Sequence, residues 1–379
     1  MDYLTDRITQ WCQAHPDVKI TIVAPSGNNQ ENAAKMLMQA DQGRAPDFAA
    51  IDSFMLPQFY EYLQPIDAEM EKLGLKVEDW FPFAQKGMKP EDETLALWYT
   101  TDVRTLYYRK DLISEDEVPA TWDELIALGE KLTAEGKVAY IYPAGRNEAV
   151  VTNHLPFLWS QGYDLVNEAG EPAFGEGEAR QAMINWFDFF KRTIDTGVTP
   201  ARVINFAKDA DMISEMASGQ VAMALGSNSL VAQMEEILGK EAFESMWGTA
   251  PIPLMEAGEE VTTAGGYVTG FFTTDPEKLA LAVDFINYIY VGDEGMTQWC
   301  MNSGYLPARQ NIYDLDPYFS EDPYMISFRN SLQHARTRPA ADCYAAISEE
   351  LQVQIGKVVS GESTPEQAVD DAWKNVTSK

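Results

Sequence analysis

The side chains of this chain best suited to chemistry are carboxylates and aromatic rings, not nucleophiles or metal ligands. Aspartate and glutamate together number 59 against 28 lysines and arginines, and 9 tryptophans and 17 tyrosines accompany them. Planar rings stack on the apolar C–H patches of a sugar, and a carboxylate accepts two hydroxyls at once. The three histidines, His15, His154 and His334, fall in separate expected elements, which argues against a zinc cluster. No phosphate-binding G-x-x-x-x-G-K-[ST], no G-x-S-x-G elbow and no H-E-x-x-H occurs. Asp314-x-Asp316 lacks the ligand spacing of a calcium loop. A carboxylate pair of the glycosidase kind stays open, because acidic residues abound and most are expected to be solvated. No catalytic centre, metal or cofactor is implied.

The stretch that organises the chain runs from Leu95 to Leu125. Leu95, Leu97, Trp98 and Tyr99 read as a strand, Thr100, Thr101 and Asp102 as a polar break, and Val103, Leu106, Tyr107 and Tyr108 as a second strand. Thr121 stands three residues before Glu124, the capping-box spacing that opens a helix. Strand, polar crossing, strand and capped helix suit a chain leaving one lobe for another. A polar break flanked by aromatics is also where a ligand cleft is expected.

A chain of 379 residues exceeds the size at which single cores stop growing, so two lobes are expected. No apolar run approaches the roughly 20 residues that cross a bilayer. Met1 precedes a helical pattern directly, so the chain is either cytoplasmic or has lost a signal segment. The net charge of −31 argues against nucleic acid and disfavours strongly anionic ligands. Cys12, Cys300 and Cys343 form no C-x-x-C pair; one disulfide is open, but three buried free thiols are the preferred reading.

Leu4, Ile8, Trp11 and Cys12 place a helix that Pro16 stops. Val18, Ile20 and Ile22 alternate as a half-buried strand, and Pro25 to Asn29 is a loop of turn formers. A helix through Leu37 and an apolar run from Phe48 to Ile51, closed by Asp52-Ser53, complete the rhythm of a parallel α/β sheet. Further along, 138–142 reads as a strand, 150–161 as an aromatic helix, and 177–196 as an amphipathic helix striped with Met183, Trp186, Phe187 and Phe190. Val221 to Leu225 and Tyr267 to Thr273 read as strands, Asp275-Pro276 opens a helix, Pro251-Ile-Pro253 looks rigid, and Thr364-x-x-Gln367 is another capping box.

Several landmarks resemble the carbohydrate-binding proteins of ABC transporters, the maltose-binding-protein-like extracellular solute-binding family. Tyr108-Arg109-Lys110-Asp111-Leu112 followed by Pro119-Ala120-Thr121-Trp122-Asp123-Glu124-Leu125 matches its first inter-lobe crossing, with Arg109 in place of the usual Asn. Gly43-x-Ala45-Pro46-Asp47, Leu63-x-Pro65-Ile66-Asp67, Gly219-Gln220-Val221-Ala222-Met223-x-x-Gly226, Pro251-x-Pro253, Gly265-Gly266, Gly304-Tyr305-Leu306-Pro307-Ala308-Arg309 and Arg338-Pro339 follow in the family's order. Each motif alone is weak, and the ordered set across residues 40–375 is specific. Two departures stand out: the strand that normally precedes the helix near Tyr3 is absent, pointing to a shortened chain or an unusual amino end, and Asn228 stands where the family often has an aromatic.

The resemblance implies a two-lobe α/β periplasmic-binding-protein fold of type II, each lobe a mostly parallel sheet flanked by helices, with the ligand cleft between lobes. It places residues 1–102 and 251–304 in the first lobe and 103–250 and 305–379 in the second, with crossings near Asp102, Pro251 and Gly304. It implies ligand contacts from Asn29, Asp52, Ser53, Asp102, Asn153, Trp159, Asn228, Tyr267, Arg309 and Tyr344, while Trp122 and Trp247 are assigned to the core. For Asp52 the competing role is a helix N-cap. The function implied is capture of a neutral mono- or oligosaccharide by hinge closure and its delivery to an ABC permease, by a monomer that is periplasmic or lipid-anchored outside the cell. Binding of a glycerol phosphodiester or a polyamine, or a carbohydrate-active enzyme, are the alternatives.

Overall fold

The computed structural model describes residues 2–24 and 29–378. The chain divides into two units, one of residues 1–102 and 265–329, the other of 103–264 and 330–379. It passes between them at Asp102/Val103, at Ala264/Gly265 and within the helix Pro323–Leu332. The expected divisions near Pro251 and Gly304 are therefore corrected: 251–264 belong to the second unit and 305–329 to the first. The reason is pairing. Leu254 is bridged to Thr121 and Ala264 to Val103 in the second unit, whereas Leu306 is bridged to Thr101 in the first.

The strands are β1 (Phe48–Asp52), β2 (Ala96–Trp98), β3 (Arg104–Arg109), β4 (Val138–Ile141), β5 (Val221–Ser227), β6 (Trp247–Ala250), β7 (Thr262–Ala264), β8 (Tyr267–Phe271) and β9 (Ala335–Thr337). The first unit's sheet has the order β1-β8-β2, with β8 antiparallel to both neighbours. In the second unit the order is β4-β5-β3-β6, parallel only at β4/β5, and a small parallel pair β7-β9 stands beside it. The sheets are mixed where mostly parallel ones were expected. Strands that return from the far end of the sequence, such as β8, enter between earlier strands and run against them, which a reading of consecutive elements does not reveal.

Local signals hold closely. Thr121 Oγ1 accepts from the Glu124 amide while the Glu124 carboxylate accepts from the Thr121 amide, and Thr364 and Gln367 repeat the box. Asp275 accepts from the amides of Glu277 and Lys278 ahead of Pro276–Ile286. The helix Gly177–Asp195 buries Trp186, Phe187, Phe189 and Phe190 completely or nearly so. Truncating such a ring to alanine costs about 3–5 kcal/mol, because the cavity left behind collapses only partly. Trp122 and Trp247 are likewise core residues.

Three expectations change. Val18 to Ala24 forms no strand, and Ile22 and Val23 stand 67% and 83% exposed; no strand among the described residues lies beside them to take up their amides. The aromatic helix at 150–161 is two short helices, Glu148–Thr152 and Leu155–Trp159, divided at Asn153-His154 ahead of Pro156. All three cysteines are free, but only Cys300 is buried, since Cys12 and Cys343 are half-exposed. Of the loop expected at Pro25 to Asn29, Pro25 to Asn28 lie outside the described residues, and Asn29 opens a helix instead.

His154 is sealed among Tyr142, Phe157 and Phe190, and its Nδ1–H donates to the Val150 carbonyl at 2.8 Å. Burial lowers its pKa from 6.5 to about 3, the carbonyl bond opposing this only in part. The folded value is the depressed one, so the unfolded chain takes up the proton first. Stability is intact above the unfolded value and is lost as pH falls toward about 3. We expect wild type to lose unfolding free energy relative to His154→Phe as pH drops below about 6.5, by at most ~1.4 kcal/mol per pH unit, in urea titrations over that range. Parallel pH profiles for the two proteins would refute this.

Candidate functional site

Two polar faces emerge, one in each unit. In the first unit the site is built at the end of β1, the start of β8 and the segment Thr100–Asp102. The Thr100 hydroxyl accepts from the Tyr267 amide at 3.0 Å, and Thr101 Oγ1 donates to the Gly265 carbonyl at 3.0 Å. The Gly265 amide in turn donates to Asp102 Oδ1 at 2.8 Å. Gly266, at φ +118°, comes so near that a Cβ there would lie 1.9 Å from the Thr100 carbonyl oxygen. Thr101 also exchanges backbone hydrogen bonds of 2.8 and 2.9 Å with Leu306, which fixes Tyr305 beside this junction.

Asp52 faces Tyr267 in the antiparallel register of β1 and β8. Tyr305 packs edge-on to Tyr267, with ring centroids 6.3 Å apart. Burial pushes the Tyr305 phenol up to about 12, with the neighbouring Tyr267, Asp102 and Asp52 adding to the effect. The phenol is therefore a neutral donor at physiological pH. Tyr99 backs the group against Tyr290, 4.8 Å between centroids. Asp52, Asp102 and Tyr267 thus come together as acceptors and a ring, joined by Tyr305, which the sequence reading had not selected. Asp52 precedes the 3-10 helix Ser53–Tyr62, but its side chain makes no cap bond. Ser53 is buried, and its amide donates to the Gly266 carbonyl at 3.0 Å. Asn29 opens the helix Asn29–Asp41, and its side chain lies outside the described residues.

Arg309 does not belong to this group. Its guanidinium is buried, donates to the Val291 carbonyl and to Asp293, pairs with Asp79, and lies over the Trp80 ring. It clamps the segment around Trp80 to the helix Asp293–Ser303, so the ligand role expected of it is reassigned to structure. Buried cations need such partners because the desolvation cost is otherwise unpaid.

In the second unit, Arg104 Nε donates to Asn153 Oδ1 at 3.2 Å, and Asn153 Nδ2 donates to Asp209 Oδ1 at 2.9 Å. The other oxygen of Asp209 accepts from the Ser227 amide at 2.9 Å, at the end of β5. Asn228 Oδ1 accepts from the Val103 amide at 3.1 Å, and its own amide donates to the Val103 carbonyl, so it locks the start of β3 to the end of β5. Asn153 and Asn228 are buried, and Arg104 and Asp209 are partly exposed. Neither Arg104 nor Asp209 was selected from the sequence. The signal that could have found them is position, one just after the polar crossing and the other at the start of the 3-10 helix Asp209–Met212, which leads through the helix Ile213–Ala217 into β5.

Trp159 is covered by Arg336, whose guanidinium lies 4.7 Å from the ring centroid and pairs with Asp164 at 2.6 Å. Tyr344 is 1% exposed, and its hydroxyl donates to Glu148 Oε1 at 2.5 Å. It holds the helix Tyr344–Ser360 to Glu148–Thr152, a structural role in place of the expected ligand contact. No group of three metal-ligating side chains occurs among the described residues.

The junction yields a direct test. Replacing Gly266 by Ala places a methyl on the Thr100 carbonyl at a backbone angle that L-residues avoid, so we expect a loss of about 3 kcal/mol or more of unfolding free energy in urea. Gly43→Ala, at a positive-φ glycine with nothing within 4 Å, should cost less. Equal losses would show that the close approach is not limiting.

Comparison with known proteins agrees with this architecture. A model of the bacterial extracellular solute-binding protein family matches residues 7–326. The maltotriose-binding protein of Pyrococcus abyssi is 23% identical over 349 residues, covering 91% of this chain and 71% of that protein. The arabinooligosaccharide-binding protein of Halalkalibacterium halodurans is 22% identical over 343 residues, covering 86% and 73%. The solved structure of the sugar-binding protein MalE from Xanthomonas citri superposes with a TM-score of 0.82 at 20% identity, over 100% of this chain and 94% of that one. The chain belongs to the bacterial extracellular solute-binding protein family.

Proposed function

We propose that this protein is the substrate-binding component of a carbohydrate ABC importer, which captures a neutral mono- or oligosaccharide with hinge closure and hands it to a membrane permease. The observation that carries this reading is the gathering of Asp52, Asp102, Tyr267 and Tyr305 at one junction of the first unit. Two carboxylates accept sugar hydroxyls, and a protonated phenol and a ring face supply a donor and a stacking surface. The Arg104–Asn153–Asp209 chain offers the second unit's donors and acceptors. Relatives named for maltotriose and arabinooligosaccharide binding agree with a sugar as ligand.

Asp52 and Asp102 near Tyr305 disfavour a phosphorylated polyol, which calls for converging cations. Carboxylates with aromatics also suit a polyamine, and that is the second reading. In the proposed role the protein binds and releases its ligand unchanged, works outside the cytoplasmic membrane and acts as a monomer. The differential affinity of the ligand for the closed state drives the conformational change that the permease reads.

A thermal-shift screen against neutral sugars, phosphorylated polyols and polyamines tests the reading. A ligand of the folded state adds roughly 2.7 kcal/mol of stability at a hundredfold excess over its Kd. We expect a shift with one family of neutral sugars; a shift with polyamines alone, or with phosphorylated polyols alone, would overturn it. For the sugar so found, Asp102→Ala should weaken binding about tenfold or more by calorimetry. Asp102→Asn, which keeps an acceptor for the Gly265 amide, separates loss of the junction from loss of the ligand contact. Unchanged affinity in both variants would remove Asp102 from the site.

A further inference from the structure

We propose that the second unit carries a separate site for a small aliphatic ammonium or guanidinium ion, seated in a cavity that Tyr108, Pro119, Ile252 and Leu254 wall and that Glu115 and Glu260 charge. The cavity holds about 470 Å³, the scale of a pocket for a small organic molecule, and no lysine or arginine lines it. Its lining comes from the end of β3, the loop ahead of Thr121, and the segment between β6 and β7. It shares no residue with the Arg104–Asn153–Asp209 chain.

The chemistry of the occupant follows from three features. Glu260 Oε1 is buried and has no hydrogen-bond partner among the described residues. Glu260 as a whole is half-buried, and a ligand N–H would give this one oxygen the partner it lacks within the chain. Pro119, Ile252 and Leu254 offer apolar surface to an alkyl stem but nothing to the hydroxyls of a sugar. Tyr108 adds an aromatic face suited to a cation, and its ring is fixed by close approach to Gly248, where a Cβ would lie 2.6 Å away. Burial, reinforced by the charge of Glu115, raises the pKa of the Tyr108 phenol, which therefore stays neutral. The two glutamates repel anions from the same space, and the chain's net charge of −31 concentrates cations around it.

Calorimetry on the whole chain with agmatine tests the site, at an ionic strength of about 0.15 M so that the general field of the protein is screened. We expect saturable binding to wild type. Glu260→Gln keeps the shape but loses the charge, and should weaken binding about tenfold or more. A neutral alcohol of the same chain length should not bind. Equal affinity for wild type and Glu260→Gln, or no saturable binding by wild type, would overturn the proposal. So would loss of agmatine binding in Asp102→Ala with none in Glu260→Gln, which would put the cation on the first unit's carboxylates. Matching thermal midpoints of the Glu260→Gln variant and wild type without agmatine would tie weaker binding to the lost charge and not to misfolding.

Discussion

The first unit depends on one close approach, that of Gly266 to the carbonyl of Thr100. A Cβ at Gly266 would lie 1.9 Å from the Thr100 carbonyl oxygen, at a φ of +118°, so only a residue without one fits there. That approach lets the Gly265 amide reach Asp102 and the Tyr267 amide reach the Thr100 hydroxyl. β8 then enters between β1 and β2 in a register that sets Tyr267 across from Asp52. The carboxylates and phenols of the candidate site are consequences of this register. A slip of one residue would turn every side chain of β8 to the opposite face.

The polar groups in the two units are supported in different ways. The Asp102 carboxylate accepts from the main-chain amide of Gly265, whose carbonyl in turn accepts from the Thr101 hydroxyl, which ties the side chain to the strand junction itself. Around Asn153 the partners are side chains in a line, each oriented by the next, ending on the Ser227 amide. Networks of this second kind are sensitive to the removal of any member, because a buried polar group left without its partner bears the full desolvation penalty. Arg309 and Tyr344 illustrate the same physics in a structural setting. Both are polar and sealed inside; Arg309 is held by Val291, Asp293 and Asp79, and Tyr344 by Glu148.

That explains which residues of the candidate site were legible. Asp52 and Tyr267 lie at strand ends and Asp102 in the polar break between two strands, and strand ends are visible from hydrophobic alternation. Arg309 and Tyr344 carry the same residue types at equally prominent motifs, yet their partners, Asp293 and Glu148, lie 16 and 196 residues away. Nothing in the local pattern separates a buried arginine held by carboxylates from one facing solvent. Tyr305, Arg104 and Asp209 were passed over for the converse reason. Their positions single them out no more than their neighbours, and each gains its place only through contacts with distant segments.

Taken by itself, the sequence determined the local elements and the kind of protein they build. Helix starts at Thr121, Asp275 and Thr364, the buried stripe of Gly177–Asp195 and the strands around the polar crossing rest on interactions three or four residues apart, or on an alternation of two. These periods can be read directly from the chain. Tertiary structure alone decided the mixed direction of the sheets, the divisions at Ala264/Gly265 and Arg329/Asn330, and the fates of Arg309 and Tyr344. The contact between Asp102 and Gly265 spans 163 residues. The two segments meet only when the first unit folds, and no spacing within either segment encodes the contact.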